Sequence, residues 1–130
     1  IPNENKILMK ETEEITKNNS NLNLVFAFNY GSHNEIHSAI MDLHNNNLEK
    51  MLSHKEIEDS FYSYFQYPDI PYPDLLLRTA GEKRISNFLL YQLAYTELIF
   101  IDTLWPDVNQ DILDNVLLEF KSRNRTYGKN

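Results

Sequence analysis

The sequence predicts an α/β protein in which a mostly parallel sheet is flanked by helices. Three short apolar segments, at residues 22–28, 75–77 and 98–101, have the length and composition of buried strands. Segments with helical spacing of apolar residues lie around them. Strands that alternate with helices are typical of a parallel sheet, because two parallel strands need a crossover connection. The predicted order is helix, strand, two helices, strand, helix, strand, helix.

The first half of the chain contains one of these predicted strands. Residues 1–17 read as a helix, since Pro2 suits an early helical turn and an asparagine-rich stretch follows. Residues 22–28 carry apolar side chains on both faces, which indicates a strand buried on both sides. Apolar residues at i, i+3, i+4 and i+7 predict the next helix, and these are Ile36, Ala39, Ile40 and Leu43.

The second half begins with a local helix signal. Ser53 and Glu56 match a capping box, which predicts the start of a third helix. Residues 86–95 are apolar nearly all round and predict a helix that is internal or lies at a subunit contact. Trp105-Pro106-Asp107 is predicted to open a last helix, whose apolar stripe consists of Leu113, Val116, Leu117 and Phe120.

Composition limits the class of protein. The chain has 130 residues, no cysteine and a net charge of −7. We therefore expect one domain over residues 1–130, an intracellular, cytoplasmic setting and no nucleic-acid surface, which would need a basic stripe. No apolar run approaches the length of a membrane span. Because the chain starts at Ile1 rather than at methionine, we expect it to be part of something longer.

A local anion site is predicted at the end of the second strand. Arg78, Lys83 and Arg84 lie within seven residues of an otherwise acidic chain, and Ser86 follows. In open α/β sheets ligands bind at the carboxyl ends of strands, and the start of a helix adds N–H groups that suit a phosphate. Alternatively, both arginines are paired with acids such as Glu82 or Glu97, and Ser86 is only a helix cap. The residues alone leave both interpretations open.

Other charged residues each have a functional and a structural interpretation. Glu97 is the one acid in the apolar run from residue 88 to residue 101, so it is either paired with an arginine or a metal ligand. His33 and His37 could share a metal, although two surface histidines are the simpler interpretation. The basic end "RNRTYG" is either a solvated helix end or a phosphate contact. No Walker, dinucleotide or nucleophile-elbow pattern is present.

Two long stretches resemble one enzyme family. "PDLLLRTAGEKRISNFLLYQLAYTELIFIDTLWPD" resembles the signature region of cis-prenyltransferases, the undecaprenyl and dehydrodolichyl diphosphate synthases. "NNSNLNLVFAFNYGSHNEI" is similar to the preceding strand and Asn-Tyr-Gly turn of the same family, and "RNRTYG" to its basic ending. The resemblance runs over the whole chain but only over the C-terminal half of the usual family length. It implies the C-terminal half of a single catalytic domain with an incomplete α/β fold.

The resemblance also implies a reaction and a set of site residues. These enzymes add isopentenyl diphosphate units, with cis double bonds, to an allylic diphosphate such as farnesyl diphosphate. The positions that match the family pattern are Arg78, Arg84 and Ser86 for the diphosphate of isopentenyl diphosphate, Glu97 for Mg²⁺, and Asn29 near the reacting centre. The tail around Arg125 and Gly128 is expected to reach toward the partner's site in a homodimer. A polyprenyl product implies work beside a membrane.

Departures from the family pattern make the implied activity conditional. The Asp-Gly-Asn-Gly-Arg loop that binds the allylic diphosphate is absent, so we expect this polypeptide alone to be inactive. Ser32 replaces a glycine, His33 an arginine, and Lys83 a glutamine or histidine. A non-catalytic accessory subunit of a heterodimeric cis-prenyltransferase is the alternative. A generic phosphate-binding module is a third interpretation, which leaves the Asn29-Tyr30-Gly31 turn unexplained.

Overall fold

A computed structural model describes residues 1–124 of the chain. Its helices are α1 (Asn3–Thr16), α2 (Ser32–Asn45), α3 (His54–Ser60) and α4 (Gln110–Ser122), its strands are β1 (Leu75–Arg78) and β2 (Glu97–Phe100), and two short 3-10 helices span Phe61–Tyr64 and Trp105–Asp107. The fold is therefore α/β with a small parallel sheet, as the sequence predicts. Within these residues no helix is long and apolar enough to cross a membrane.

The sheet pairs β1 with β2 in parallel. Leu75 lies opposite Glu97, and Arg78 lies opposite Phe100. The pairing continues past both strands, because the N–H of Ile101 donates to the Arg78 carbonyl at 2.9 Å. Arg78 is at the carboxyl end of β1, and ligands of parallel sheets bind at that edge. The two strands predicted at residues 75–77 and 98–101 are therefore confirmed. The later one begins and ends one residue earlier than predicted.

The buried core is formed by single residues from α2, β2, α4 and two connecting segments. Its apolar residues are Ala39 of α2, Phe65, Leu93, Ile99 of β2 and Val116 of α4. Aromatic rings from the 3-10 turn at residues 61–64, from the segment before β1 and from the turns after β1 meet mostly edge-on, and this cluster consists of Phe61, Tyr62, Phe65, Tyr72 and Tyr91. Edge-to-face contacts add attraction beyond the buried area. This aromatic cluster joins α2 and α3 to the β1–β2 connection.

Local capping signals are confirmed. Ser53 accepts a hydrogen bond from the N–H of Glu56, whose carboxylate accepts one from the N–H of Ser53, so the predicted capping box is present. The last helix begins later than predicted, because Trp105–Asp107 forms a separate 3-10 turn. Asn109 caps α4 instead, with its Oδ1 accepting from the N–H of Ile112 at 3.1 Å.

The predicted strand at residues 22–28 is absent. The segment has no strand pairing, and its side chains lie in solvent, with Leu22 76% and Phe26 66% exposed. Alternation predicts which faces are apolar, but a strand also needs a neighbour to take its N–H and C=O groups. Within residues 1–124 no other strand pairs with this segment. The prediction of a buried strand was wrong for this reason.

The predicted helix at residues 86–95 is also absent, and turns replace it. The backbone enters the left-handed region at Ser86, Asn87 and Leu89, with φ of 48°, 62° and 46°. A right-handed helix cannot include such residues. The turns are anchored to α2, because the N–H of Ser32 donates to the Asn87 carbonyl at 2.8 Å. Tertiary contacts have replaced the helix that the apolar pattern predicted.

Candidate functional site

The carboxyl end of β1 carries the predicted anion-binding residues. Arg78 is half-buried at the last position of the strand, and its Nη2 donates to the Ser86 hydroxyl at 3.5 Å. Arg84 is exposed and forms an ion pair with Glu82, as one of the two interpretations of the sequence allowed. The structure therefore brings Arg78 and Ser86 together and leaves Arg84 two residues away from Ser86, on the same exposed segment.

The backbone of this segment differs from the predicted one. No helix begins at Ser86, so the helix N-terminus predicted at that position is absent. The N–H groups of Ala80 and Gly81 donate to the carbonyls of Thr103 and Ile101, both at 2.9 Å. Among the described residues the N–H groups of residues 82 to 86 have no hydrogen-bond acceptor. These free N–H groups, together with the side chains of Lys83 and Arg84, can receive an anion.

Glu97 lies at the other end of the sheet. It is the first residue of β2 and pairs with Leu75, three residues before Arg78, so it lies about 10 Å from Arg78 along the strands. Its Oε2 accepts a hydrogen bond from Arg123 Nη1 at 2.8 Å, and the same Nη1 donates to the Leu98 carbonyl at 3.0 Å. Arg123 also pairs with Glu119. The hydrogen bonds to Glu97 and Glu119 raise the pKa of Arg123.

Mg²⁺ would find one protein oxygen donor of suitable type at Glu97. Among the described residues no group of three His, Asp or Glu side chains could hold a metal ion, and this includes His33 and His37. Mg²⁺ is commonly held by one or two carboxylates together with waters and substrate phosphates, so a single carboxylate fits such a site. Oε1 of Glu97 accepts no hydrogen bond from the described residues. Glu97 can supply one such carboxylate, about 10 Å along the strands from the Arg78 segment.

Asn29 lies in a tight turn before α2. Its backbone is left-handed, with φ of 53°, a conformation that asparagine tolerates better than most residues. The side chain is exposed and lines a cavity of about 360 Å³ together with Tyr30, Asn34 and Asp42. The cavity opens between the start of α2 and the 3-10 turn at Phe61–Tyr64. The Asn29 side chain is thus accessible to a ligand, and it is presented by a turn with a left-handed backbone conformation.

Glu35 organises this turn and was not identified from the sequence. Its carboxylate accepts hydrogen bonds from the Tyr30 hydroxyl, from Gln92 Nε2 at 2.9 Å and from the N–H of Gln66 at 3.2 Å. Burial raises the pKa of the Tyr30 hydroxyl to about 12, and the hydrogen bond to Glu35 adds in the same direction. Tyr30 is therefore a neutral donor at physiological pH. The three donors are far apart in the chain, so no local pattern could have revealed them.

Arg125 and Gly128, the predicted tail contacts, lie outside the described residues. The described residues end at Asn124. Just before it, Arg123 contacts Glu97 rather than the segment after β1.

Comparison with known proteins identifies the family. The family model described as "Putative undecaprenyl diphosphate synthase" matches residues 1–128. The chain belongs to the cis-prenyltransferase family. This confirms the resemblance carried by the Arg78–Asp107 region and by the Asn29 turn.

Individual members of this family show how much of it the chain covers. Isoprenyl transferase 2 of Bradyrhizobium diazoefficiens is 43% identical over 122 residues, which are 93% of this chain and 48% of that protein. The farnesyl-diphosphate-specific ditrans,polycis-undecaprenyl-diphosphate synthase of Micrococcus luteus is 40% identical over 129 residues, 98% of this chain and 52% of that protein. The chain thus spans about half the length of these curated relatives.

A solved structure of the family confirms the fold. The crystal structure of lavandulyl diphosphate synthase from Lavandula x intermedia, in complex with dimethylallyl diphosphate, is 29% identical and has a TM-score of 0.89. The similarity covers 99% of this chain and 56% of that one. The small parallel sheet and its helices are therefore an incomplete version of the family's α/β fold.

Proposed function

We propose that this chain takes part in cis-prenyl chain elongation, in which isopentenyl diphosphate is condensed onto an allylic diphosphate such as farnesyl diphosphate. The observation that carries the proposal is the segment after β1, where Arg78 and Ser86 are in contact and the N–H groups of residues 82 to 86 have no acceptor among residues 1–124. Relatives named as isoprenyl transferases and undecaprenyl diphosphate synthases support it. This segment would hold the diphosphate of isopentenyl diphosphate.

The residues of this segment suit a diphosphate. Arg78 can donate two parallel N–H groups to phosphate oxygens while its contact with Ser86 orients the guanidinium. Arg84 would exchange its exposed pairing with Glu82 for the substrate, since an exposed ion pair contributes little stability. Ser86 adds a hydroxyl donor. Binding at these points fixes the nucleophilic substrate, which is a major source of rate in reactions between two bound molecules.

In the reaction itself the double bond of isopentenyl diphosphate attacks the allylic carbon, the bond from that carbon to its diphosphate breaks and releases inorganic diphosphate, and the isopentenyl unit loses a proton. Asn29 is proposed to contact the reacting groups, because its side chain is exposed in a turn with fixed backbone. Mg²⁺, when bound, would stabilise negative charge on the diphosphate. Glu97 is the proposed protein ligand for it. When it binds the ion, the Glu97 carboxylate would share its negative charge between the ion and Arg123.

Two further parts of the proposal concern assembly. We expect the active protein to be a homodimer, in which the tail around Arg125 and Gly128 reaches the partner's site. The long-chain polyprenyl diphosphate product would be membrane-associated. The 130-residue chain without the aspartate loop of the family is expected to be inactive by itself.

The test is incorporation of labelled isopentenyl diphosphate onto farnesyl diphosphate with Mg²⁺, using the full-length gene product. Arg84→Ala is expected to lower kcat/KM by about 10- to 100-fold, because hydrogen bonds to charged groups are involved. Lys55→Ala, which removes one positive charge from α3, is the control and should leave the rate unchanged.

The outcome separates the two leading functions. Polymer formation that Arg84→Ala slows to this extent supports the synthase. Binding of isopentenyl diphosphate without any polymer would contradict it and support the accessory subunit.

A further inference from the structure

Helix α2 begins without a cap of its own. The residue before it is Gly31, which has no side chain to accept hydrogen bonds from the first N–H groups of the helix. Asn87 supplies the missing acceptors from a distant part of the chain. Its carbonyl accepts from the N–H of Ser32 at 2.8 Å, and its Oδ1 accepts from the N–H of His33 at 2.9 Å. One residue therefore satisfies two N–H groups at the start of α2.

The contact is reciprocal and closely packed. Ser32 is fully buried, and its hydroxyl accepts a hydrogen bond from the N–H of Leu90 at 2.9 Å. A Cβ atom at Gly31 would lie 2.9 Å from Asn87 Nδ2, so a side chain there would displace the Asn87 amide. Tyr30 adds an edge-on contact to Phe88, with ring centroids 5.6 Å apart. The start of α2 and residues 87–90 are thus joined by hydrogen bonds in both directions.

Backbone strain accompanies this contact. Ser86, Asn87 and Leu89 all have positive φ, and such conformations are strained in residues other than glycine and persist only where the surroundings hold them. Asparagine tolerates this conformation better than leucine or serine does. The bonds from Ser32 and His33 to Asn87 are the interactions that hold it here.

The two joined segments carry the two groups of proposed site residues. Asn87 directly follows Ser86, and Ser32 lies three residues after Asn29. We propose that Asn87 is a positioning residue, which holds the Asn29 turn in a fixed place relative to the segment that binds the diphosphate. This role rests on the proposed function, because it acts through Asn29 and Ser86. Asn87 itself is not proposed to contact either substrate.

The first test compares two asparagines that cap helices. Asn87→Gly keeps the positive φ without strain but loses the Oδ1 acceptor of the His33 N–H. Asn109→Gly removes the same kind of cap from α4, away from the site. Both variants of the full-length gene product should lose a similar, small amount of thermal stability. Only Asn87→Gly should raise KM for isopentenyl diphosphate and lower kcat, each by about fivefold or more, since one hydrogen bond is lost at a positioned site.

Two further variants examine the contact itself. Asn87→Asp keeps an oxygen for the His33 N–H and tolerates positive φ, so kcat should recover toward the wild-type value. Ser32→Ala removes the acceptor of the Leu90 N–H and should reproduce the loss in kcat. Ser63→Ala, whose hydroxyl donates to the Ser60 carbonyl in the 3-10 turn, should not. If Asn87→Gly and Asn109→Gly lower stability equally and leave both kinetic constants unchanged, Asn87 is only a cap and the proposal is overturned.

Hydrogen exchange separates this proposal from the proposed function. In Asn87→Gly, peptides that cover residues 29–35 and residues 86–92 should exchange faster together, while peptides from α4 should not change. This result supports the link even if the wild-type protein makes no polymer, an outcome that would contradict only the synthase. Unchanged exchange in both peptides would overturn the link, whatever the activity.

Discussion

Residues 22–28 and the strand pair β1–β2 have similar apolar patterns and different structures. Leu75–Arg78 and Glu97–Phe100 pair with each other, and Ile99 is buried in the core. Residues 22–28 pair with nothing among the described residues and expose Leu22, Leu24, Phe26 and Phe28. An apolar segment becomes a strand only where another strand accepts its hydrogen bonds. The comparison shows that pairing, rather than local pattern, separates the two regions.

The largest expected difference between the two regions is in stability. Ile99→Ala should lower the free energy of unfolding of the 130-residue chain by about 2–4 kcal/mol, because it leaves a cavity in the core. Phe26→Ala should lower it by about 0.5 kcal/mol or less, because that ring is already in solvent. Urea unfolding of the two variants beside the wild-type chain measures both values. Equal losses would mean that residues 22–28 are packed as tightly as the sheet.

A smaller effect is expected at the outer edge of β2. Arg123 donates to the Leu98 carbonyl and pairs with Glu97, so it covers the edge of β2 that β1 does not pair with. Arg123→Gln should speed hydrogen exchange in the peptide that contains β2 and leave unchanged the exchange of residues 22–28, which have no strand partner among the described residues. Lys121→Gln, on the same helix end, is the control. Unchanged exchange in β2 would show that pairing with β1 alone protects it.

The smallest expected effect concerns the capping box, which is local and independent of any strand. The hydrogen bond from Lys50 and those from Ser53 lower the pKa of Glu56 from 4.5 to about 2. Its carboxylate therefore stabilises the folded state above about pH 4.5, and this contribution disappears as the pH falls toward 2. Glu56→Gln should lower Tm slightly at pH 7 and not at pH 2. A difference in Tm that persists at pH 2 would contradict the assigned cause.

Features that depend on neighbouring residues in the chain were predictable from the sequence. The capping box needs only Ser53 and Glu56, and α2 needs only the repeat of its apolar residues. Arg78 and Ser86 could be assigned to one candidate anion site because they lie within nine residues of each other at the end of one strand. In each case the relevant interactions are formed within one short segment.

Features that depend on distant residues were not predictable in this way. Residues 86–95 look helical, but Asn87 is held by Ser32 and His33, more than 50 positions earlier in the chain. Glu35 likewise binds Gln66 and Gln92. Arg123 reaches Glu97 from the end of α4, whereas the sequence suggested several arginines as partners for Glu97. The sequence supplied the residue types, and the fold determined which of them meet.

The measurement that tests the central claim most directly is a calorimetric titration of the full-length gene product with isopentenyl diphosphate and, separately, with inorganic diphosphate. We expect isopentenyl diphosphate to bind more tightly, and Arg78→Ala to weaken its binding by about tenfold or more. Equal affinity for the two ligands, with no effect of Arg78→Ala, would contradict the account and favour a generic phosphate-binding module.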